Sequence, residues 1–388
     1  MSELTKKVTL WRTITVLIFA VGLYACYLRF FEGWQAATNL SDAQPWGIWV
    51  GLATLGSVAL SAGGFAIAAG VYLLGMERYR PIARVSVLIS MLGYMTVCVG
   101  YLYELGLPWR AWHIFFYWNH HSVLFDVALC IMTYTTVLVV EFAPQLLEKL
   151  PWKFAHTLAE WQHRYVIAIV LAGTLLSSMH QSFLGGLFLI MKGHIYPLWY
   201  SPYIHTLFYM SAIPSGLCVV IIACYLSMRS LGVKLDYDIL VDMARLAVPM
   251  LLLYVVFRFV DLLNRGFGGY LFRWRSETAY FWVEIALLVV IPVVLFTREK
   301  VLQSPKLLYW TACVQVMGLM MNRLNVSITA MEFSTHANYV PKWPEVMITM
   351  MVIAGAVVVF RLCALYLDVF PRPAKAEPER WLSSPASA

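Results

Sequence analysis

Ten separate runs of apolar side chains, each long enough to cross a bilayer, constrain this chain more than any other feature of its sequence. They lie near residues 10–29, 46–75, 82–104, 121–143, 165–187, 204–228, 243–264, 278–297, 307–329 and 345–368. A helix needs about 20 apolar residues to span the hydrocarbon core. Backbone amides in lipid must be bonded within the spanning structure, which leaves helices or closed barrels. Barrel strands alternate apolar and polar residues over about ten positions, whereas these runs are continuous. Composition agrees, since 61% of the 388 residues are hydrophobic and 13% charged, against roughly 25% charged in an average soluble domain. The expected fold is an all-α, polytopic integral membrane protein of about ten transmembrane helices, its membrane domain filling residues 1–370. The first run follows Lys6 and Lys7 and offers no small-x-small cleavage site before Arg29, so it reads as a retained helix rather than a leader. The Pro-, Ala- and Ser-rich segment 371–388 reads as a disordered cytoplasmic tail.

The formal net charge of +7 raises the question of nucleic acid, but that reading needs a basic stripe on a soluble fold. Here Lys and Arg sit in short loops. With ten spans both termini share one side. That side collects six groups of three: Lys6, Lys7, Arg12; Arg78, Arg80, Arg84; Lys149, Lys153, Arg164; Arg229, Lys234, Arg245; Arg298, Lys300, Lys306; Arg372, Lys375, Arg380. The other side has Arg29, Arg110, Lys192, Arg265, Arg273, Arg275 and Lys342. The bias puts both termini of this multi-pass membrane protein in the cytoplasm.

The seven cysteines are spread nearly one per helix, with no CxxC pair. An iron–sulfur cluster normally takes clustered thiolates, so they read as small apolar core residues. Of the nine histidines, only His180 lies clearly within a span, with His121 near the mouth of another; His120 and His336 are among those at loops or ends. A bis-histidine haem needs paired imidazoles at one depth, and no repeated pairing exists. Neither haem, iron–sulfur cluster nor metal site is expected in this chain.

Charges inside a membrane are costly and usually face the bundle interior or a cavity. Depth assigned from the topology puts nearly all of them in the outer third. Trp46 and Trp49 open the second span, Tyr101 and Glu104 close the third, His121 and Asp126 begin the fourth, and His180 and Gln181 come late in the fifth. In the second half Arg258 and Asp261 end the seventh span, Glu284 starts the eighth and Arg323 ends the ninth. Arg258 and Asp261, three apart, have the spacing of an ion pair on one helix face, and all four second-half charges are candidates for a proton or charge relay. A histidine, carboxylates, an amide and aromatic walls suit a quinone, whose carbonyls need hydrogen-bond donors and whose reduction needs protons. The stretch Ser61-Ala62-Gly63-Gly64 lets another helix, or a flat ring, come close.

Several segments together carry a resemblance: Pro45-Trp46-Gly47-Ile48-Trp49, Ala62-Gly63-Gly64, His121-Ser122-Val123-Leu124-Phe125-Asp126, Glu141-Phe142-Ala143-Pro144, Met179-His180-Gln181-Ser182, Pro197-Leu198-Trp199, Arg258-Phe259 and Phe281-Trp282-Val283-Glu284. Over about residues 44–368 the chain resembles the NrfD / polysulfide-reductase membrane-subunit family, in its ten-helix branch with the HybB-type hydrogenase-2 and DsrP-type subunits. The resemblance implies two four-helix bundles (46–187, holding a menaquinone site near the periplasmic face, and 204–329) with a flanking helix at each end. It implies no haem and electrons passed to or from a periplasmic ferredoxin-like iron–sulfur subunit. That subunit would be linked in turn to a catalytic subunit (a hydrogenase or molybdoenzyme) or a multihaem cytochrome. On this reading Asp126, Glu104 and His180 exchange protons with the quinone, and Trp46, Trp49, Tyr101, His121, His180 and Gln181 contact or wall it. The rivals are a proton-translocating subunit and a purely structural anchor. The chain departs from the family pattern where Gly51-Leu52-Ala53-Thr54 and Tyr225 stand at positions that carry acids elsewhere, so those positions offer no proton wire to the cytoplasm.

Overall fold

The computed structural model describes residues 10–119, 121–335 and 338–370. The expected tail 371–388, His120, His336, and the basic residues Lys6, Lys7, Arg372, Lys375 and Arg380 lie outside them. Among the described residues nine helices are long and apolar enough to cross a membrane. They are α1 (Leu10–Glu32), α2 (Trp49–Tyr72), α3 (Glu77–Glu104), α4 (Val123–Leu147), α5 (Val166–Met191), α6 (Ile204–Leu231), α7 (Tyr237–Asn264), α8 (Ser276–Phe296) and, closing the chain, α10 (Trp343–Tyr366). Between the last two runs α9 (Pro305–Leu324), continued by turns through Thr335. It is as long as its neighbours but falls short in hydropathy, because Gln315, Asn322, Arg323 and Asn325 interrupt its apolar surface. All four are buried in the protein, so the polarity faces neighbouring helices instead of lipid.

The helices pack in two rings. In the first, α2 packs on α3, α3 on α4, α4 on α5 and α5 back on α2; in the second, α6, α7, α8 and α9 close in the same manner. The outer helices α1 and α10 pair with each other, and α10 leans on α3. The rings meet where α6 crosses α2 and α5. At the α2–α6 crossing the two backbones touch. A Cβ at Gly63 would lie 2.4 Å from the carbonyl oxygen of Gly216, and one at Gly216 would lie 2.0 Å from the amide nitrogen of Gly63. Of the two uses open to the glycine stretch in α2, the structure therefore shows a helix approaching it. Among the described residues four π-helical turns interrupt the helices, at Leu28–Glu32, Trp49–Gly56, Ala286–Val290 and Asn325–Thr329. Such turns re-aim side chains by widening the helix, and two of them carry polar residues used below, Thr54 and Asn325.

Candidate functional site

The interior of the first ring holds polar groups that no protein partner satisfies. His180 on α5 is completely buried, and neither of its ring nitrogens has a hydrogen-bond partner. Its imidazole lies 5.4 Å, centroid to centroid, from the ring of Tyr94 on α3, which meets Tyr134 of α4 edge-on at 4.5 Å. The hydroxyls of Tyr94, Tyr134 and Ser177 are likewise buried and unpartnered. An unsatisfied buried polar group costs on the order of 1–3 kcal/mol, and this cluster has several. Gln181, next to His180, donates its amide to the carbonyl of Val58 at 2.7 Å, where α2 is close by, and leaves its own oxygen unpaired.

Asp126 begins α4 just after the Ser122 cap, whose hydroxyl accepts from the amide of Phe125. Cys130, one turn on, points its thiol at the carbonyl of Leu176 in α5. Residues four apart share a helix face, so Asp126 looks the same way. The antiparallel register that sets Cys130 against Leu176 sets Asp126, four residues earlier, about level with His180, four residues later. Glu104, at the end of α3, accepts a hydrogen bond from Thr54 of the π-helical entrance to α2 at 3.3 Å. Tyr101 is half-buried one turn below it, and Trp46 packs edge-on against Phe188 at 5.4 Å.

Two expected wall residues sit elsewhere. His121 is exposed. Trp49 faces the flanking helices, edge-on to Trp34 and tilted against Tyr103. Its indole N–H donates to the carbonyl of Glu345, 3.2 Å away. Glu345, fully buried at the start of α10, also accepts from the Asn39 and Lys342 amides and from the Tyr339 hydroxyl, which in turn accepts from the Ile48 amide. Burial, reinforced by Glu345, holds the Tyr339 phenol well above its ordinary pKa, so it remains a donor. Arg29 closes the same corner from α1, donating to the carbonyls of Tyr103 and Leu105 at 2.9 and 2.6 Å. The result is a clasp that fixes the mouth of α2 from outside the ring. Glu345 is 296 residues from Trp49, and nothing local in the sequence marks it.

The second ring is wired differently. Glu284 on α8 is fully buried and fully partnered. It accepts from the Trp199 indole at 2.7 Å, Asn322 at 2.7 Å and Asn325 at 2.8 Å, with Arg258 at 3.3 Å. Arg258 also donates to the Tyr254 hydroxyl at 2.6 Å. Arg323 donates to Asn322, Ser211 and the Phe208 carbonyl and lies over the Phe208 ring at 3.8 Å. Asp261 pairs with Arg265 at 2.9 Å. Arg258 therefore takes its partner from another helix, and the expected ion pair between Arg258 and Asp261 gives way to two separate ones. Among the described residues no group of three or more His, Cys, Asp or Glu side chains is gathered that could hold a metal ion.

The sequence was compared with known proteins. The polysulphide reductase, NrfD, family profile matches residues 36–335. A protein of Nitratidesulfovibrio vulgaris that carries no more specific name than "Protein" is 32% identical over 369 residues, covering 92% of this chain and 93% of that one. From the same organism, the "menaquinone reductase, integral membrane subunit" is 28% identical over 395 residues, with 95% and 93% covered. The "probable Ni/Fe-hydrogenase 2 b-type cytochrome subunit" of Escherichia coli is 27% identical over 366 residues, 92% of each chain. With most of its length matched by one family profile and a relative above 30% identity aligned nearly end to end, this multi-span membrane protein belongs to the polysulphide reductase NrfD family.

Proposed function

We propose that the chain is the quinone-reactive membrane subunit of a respiratory oxidoreductase complex, with menaquinone bound against His180 in the first ring. The observation that carries this reading is the completely buried imidazole of His180 with both nitrogens unpartnered. A ligand with two carbonyl oxygens offers the acceptors that this imidazole and the neighbouring tyrosine hydroxyls lack. Asp126, level with His180, and Glu104, tethered to Thr54, exchange protons with it, while Gln181 orients a carbonyl and Trp46 and Tyr101 form apolar wall. Trp49 acts from a distance, through the clasp on α2. The name of the menaquinone reductase subunit among the relatives supports the choice of quinone.

One relative's name includes a b-type cytochrome, but the ring tilted against His180 is the tyrosine Tyr94, which offers no second imidazole for a bis-histidine haem. Electrons come from a neighbouring subunit, a periplasmic ferredoxin-like iron–sulfur protein joined to a catalytic subunit or multihaem cytochrome. The excess of basic loop residues supports both termini in the cytoplasm. The first ring, 46–187, is the quinone unit, and 204–329 is its structural counterpart. The saturated bonding of Glu284 supports a fixed lock there and weighs against a relay through Arg258, Asp261, Glu284 and Arg323.

The test is quinone-linked turnover and inhibitor binding in the purified complex carrying His180→Ala or Asp126→Asn. Turnover should fall by roughly 10²-fold or more with all subunits retained. Undiminished turnover in both variants removes the proposed site.

A further inference from the structure

The last acid of α3 is held by a residue that belongs to neither ring. Arg29 lies in the π-helical turn that ends α1 and is only 4% exposed. A guanidinium presents its donors as a rigid planar fork, and here the fork takes two carbonyls. Nε donates to Tyr103 at 2.9 Å and Nη2 to Leu105 at 2.6 Å, the residues on either side of Glu104. The Leu105 amide returns to the Tyr101 carbonyl at 2.9 Å. The peptide before the Glu104 Cα is thus fixed by Arg29, the one after it by the last bond of α3, and the next again by Arg29. Free carbonyls are the ordinary state of a helix C-terminus, and basic side chains often meet them. A buried arginine is a costly cap, however, and this one meets carbonyls and rings instead of a carboxylate.

The Glu104 carboxylate is aimed from the other side. Thr54 donates to it at 3.3 Å from within the π-helical stretch Trp49–Gly56. Here α2 and α3 lie close, since a Cβ at Gly100, one turn before Glu104, would sit 3.1 Å from the Ala53 methyl. The start of the stretch is gripped by the clasp, through Ile48 and Trp49. A Cβ at Gly47 would collide with the Tyr339 hydroxyl, so the grip leaves no slack. The two holds also touch each other. The Arg29 guanidinium lies over the Trp34 ring at 4.4 Å, and Trp34 meets Trp49 edge-on at 6.1 Å. Backbone and side chain of Glu104 are therefore held by one packed set that runs from α1 to α10. Both flanking helices lie outside residues 36–335, the stretch matched by the family profile.

We propose that Arg29 is a positioning residue for Glu104, through which the flanking helix α1 sets the place of an acid in the first ring. The inference rests on the quinone reading above, in which Glu104 exchanges a proton with the bound ring. Without the fork, the last turn of α3 loses two of its ties and the carboxylate drifts from its working position. A displacement of about 1 Å can cost on the order of 10²-fold in rate. Arg29 stands outside the ring, so its loss slows turnover without loosening the ligand.

The test uses the whole purified complex, with a reduced viologen as electron donor and a short-chain menaquinone analogue as acceptor. A hydroxyquinoline N-oxide reads occupancy of the site. Arg29→Gln should lower kcat by roughly tenfold to a hundredfold, with KM for the analogue and inhibitor binding within about twofold of the parent. Arg29→Lys, whose ammonium reaches one carbonyl, should fall between the two. Combined with Glu104→Gln, Arg29→Gln should add less than about twofold to the loss, because the group it positions is already gone. Additive losses in the double variant overturn the inference, as does an undiminished kcat in Arg29→Gln while Glu104→Gln is slow. Failure of both Arg29 variants to yield assembled complex makes the arginine a structural tie and also overturns it. Full turnover in Glu104→Gln removes the role given to that acid in the quinone reading, and the positioning role with it.

Discussion

At the scale of single residues, Glu284 and His180 are opposite kinds of buried polar group, although the second ring also keeps unpartnered nitrogens on Arg258 and Arg323. Glu284 accepts three hydrogen bonds and faces one guanidinium, so removing its carboxylate strands Trp199, Asn322 and Asn325 and leaves Arg258 without its ion-pair partner. Breaking a buried pair in this manner costs about 3–5 kcal/mol. Glu284→Ala should lower the thermal unfolding midpoint in detergent accordingly, and an unchanged midpoint would show that the network is not a lock. His180 behaves in the opposite sense. Its nitrogens already lack partners, so His180→Phe should leave the midpoint unchanged or raise it while abolishing inhibitor binding; a large loss of stability with binding retained would contradict the assignment. The sequence marks His180, Asp126, Glu284 and Arg323 plainly, because a charge or imidazole deep in an apolar run is rare. It does not mark Tyr94, Tyr134 or Ser177, because tyrosines are ordinary in apolar helices and a serine hydroxyl usually bonds back to its own helix. Glu141, near the end of a span, looks like a boundary residue until its buried, unpartnered oxygen is seen.

At the scale of elements, the length of the apolar runs locates ten helices among the described residues, but it cannot say which helix touches which. The α2–α6 crossing depends on two glycines 153 positions apart in the chain, Gly63 and Gly216. Gly63→Ala forces a methyl into a carbonyl oxygen at 2.4 Å, an overpacking that costs about 1–3 kcal/mol. Gly70→Ala, on the same helix, meets nothing nearer than the Met76 sulfur at 3.5 Å and should be nearly silent. Thermal midpoints of the two variants, measured side by side, check the contrast. The clasp on α2 is equally invisible in the sequence, since Trp49, a residue well suited to a ring-binding wall, spends its indole N–H on Glu345.

At the scale of the whole molecule, the outward-facing surface of the helices is apolar and charges gather at the ends. Arg78 meets Asp242 at 2.7 Å, and Lys149 and Arg84 both reach the end of α10, so the loops of one face are tied to each other. If that face is cytoplasmic, a fluorescent protein fused after residue 388 should mature and glow. Alkaline phosphatase inserted between residues 266 and 275 should be active, since it would then be exported. The reverse pattern would invert the topology. The expectation rests on the distribution of Lys and Arg among the loops.

The polarity of α9 has a consequence for how the protein is made. An arginine at the centre of a helix costs about 2.5–3.5 kcal/mol to hand to lipid during insertion, and α9 carries Gln315, Asn322 and Asn325 besides Arg323. Their bonding partners Ser211 and Ser215 lie on α6 and Glu284 on α8, both synthesised earlier. When α9 emerges from the ribosome those groups are already waiting in the bilayer. Its entry is therefore a docking event onto a half-built protein, and a nascent chain stripped of Glu284 should stall at that point with α9 left outside.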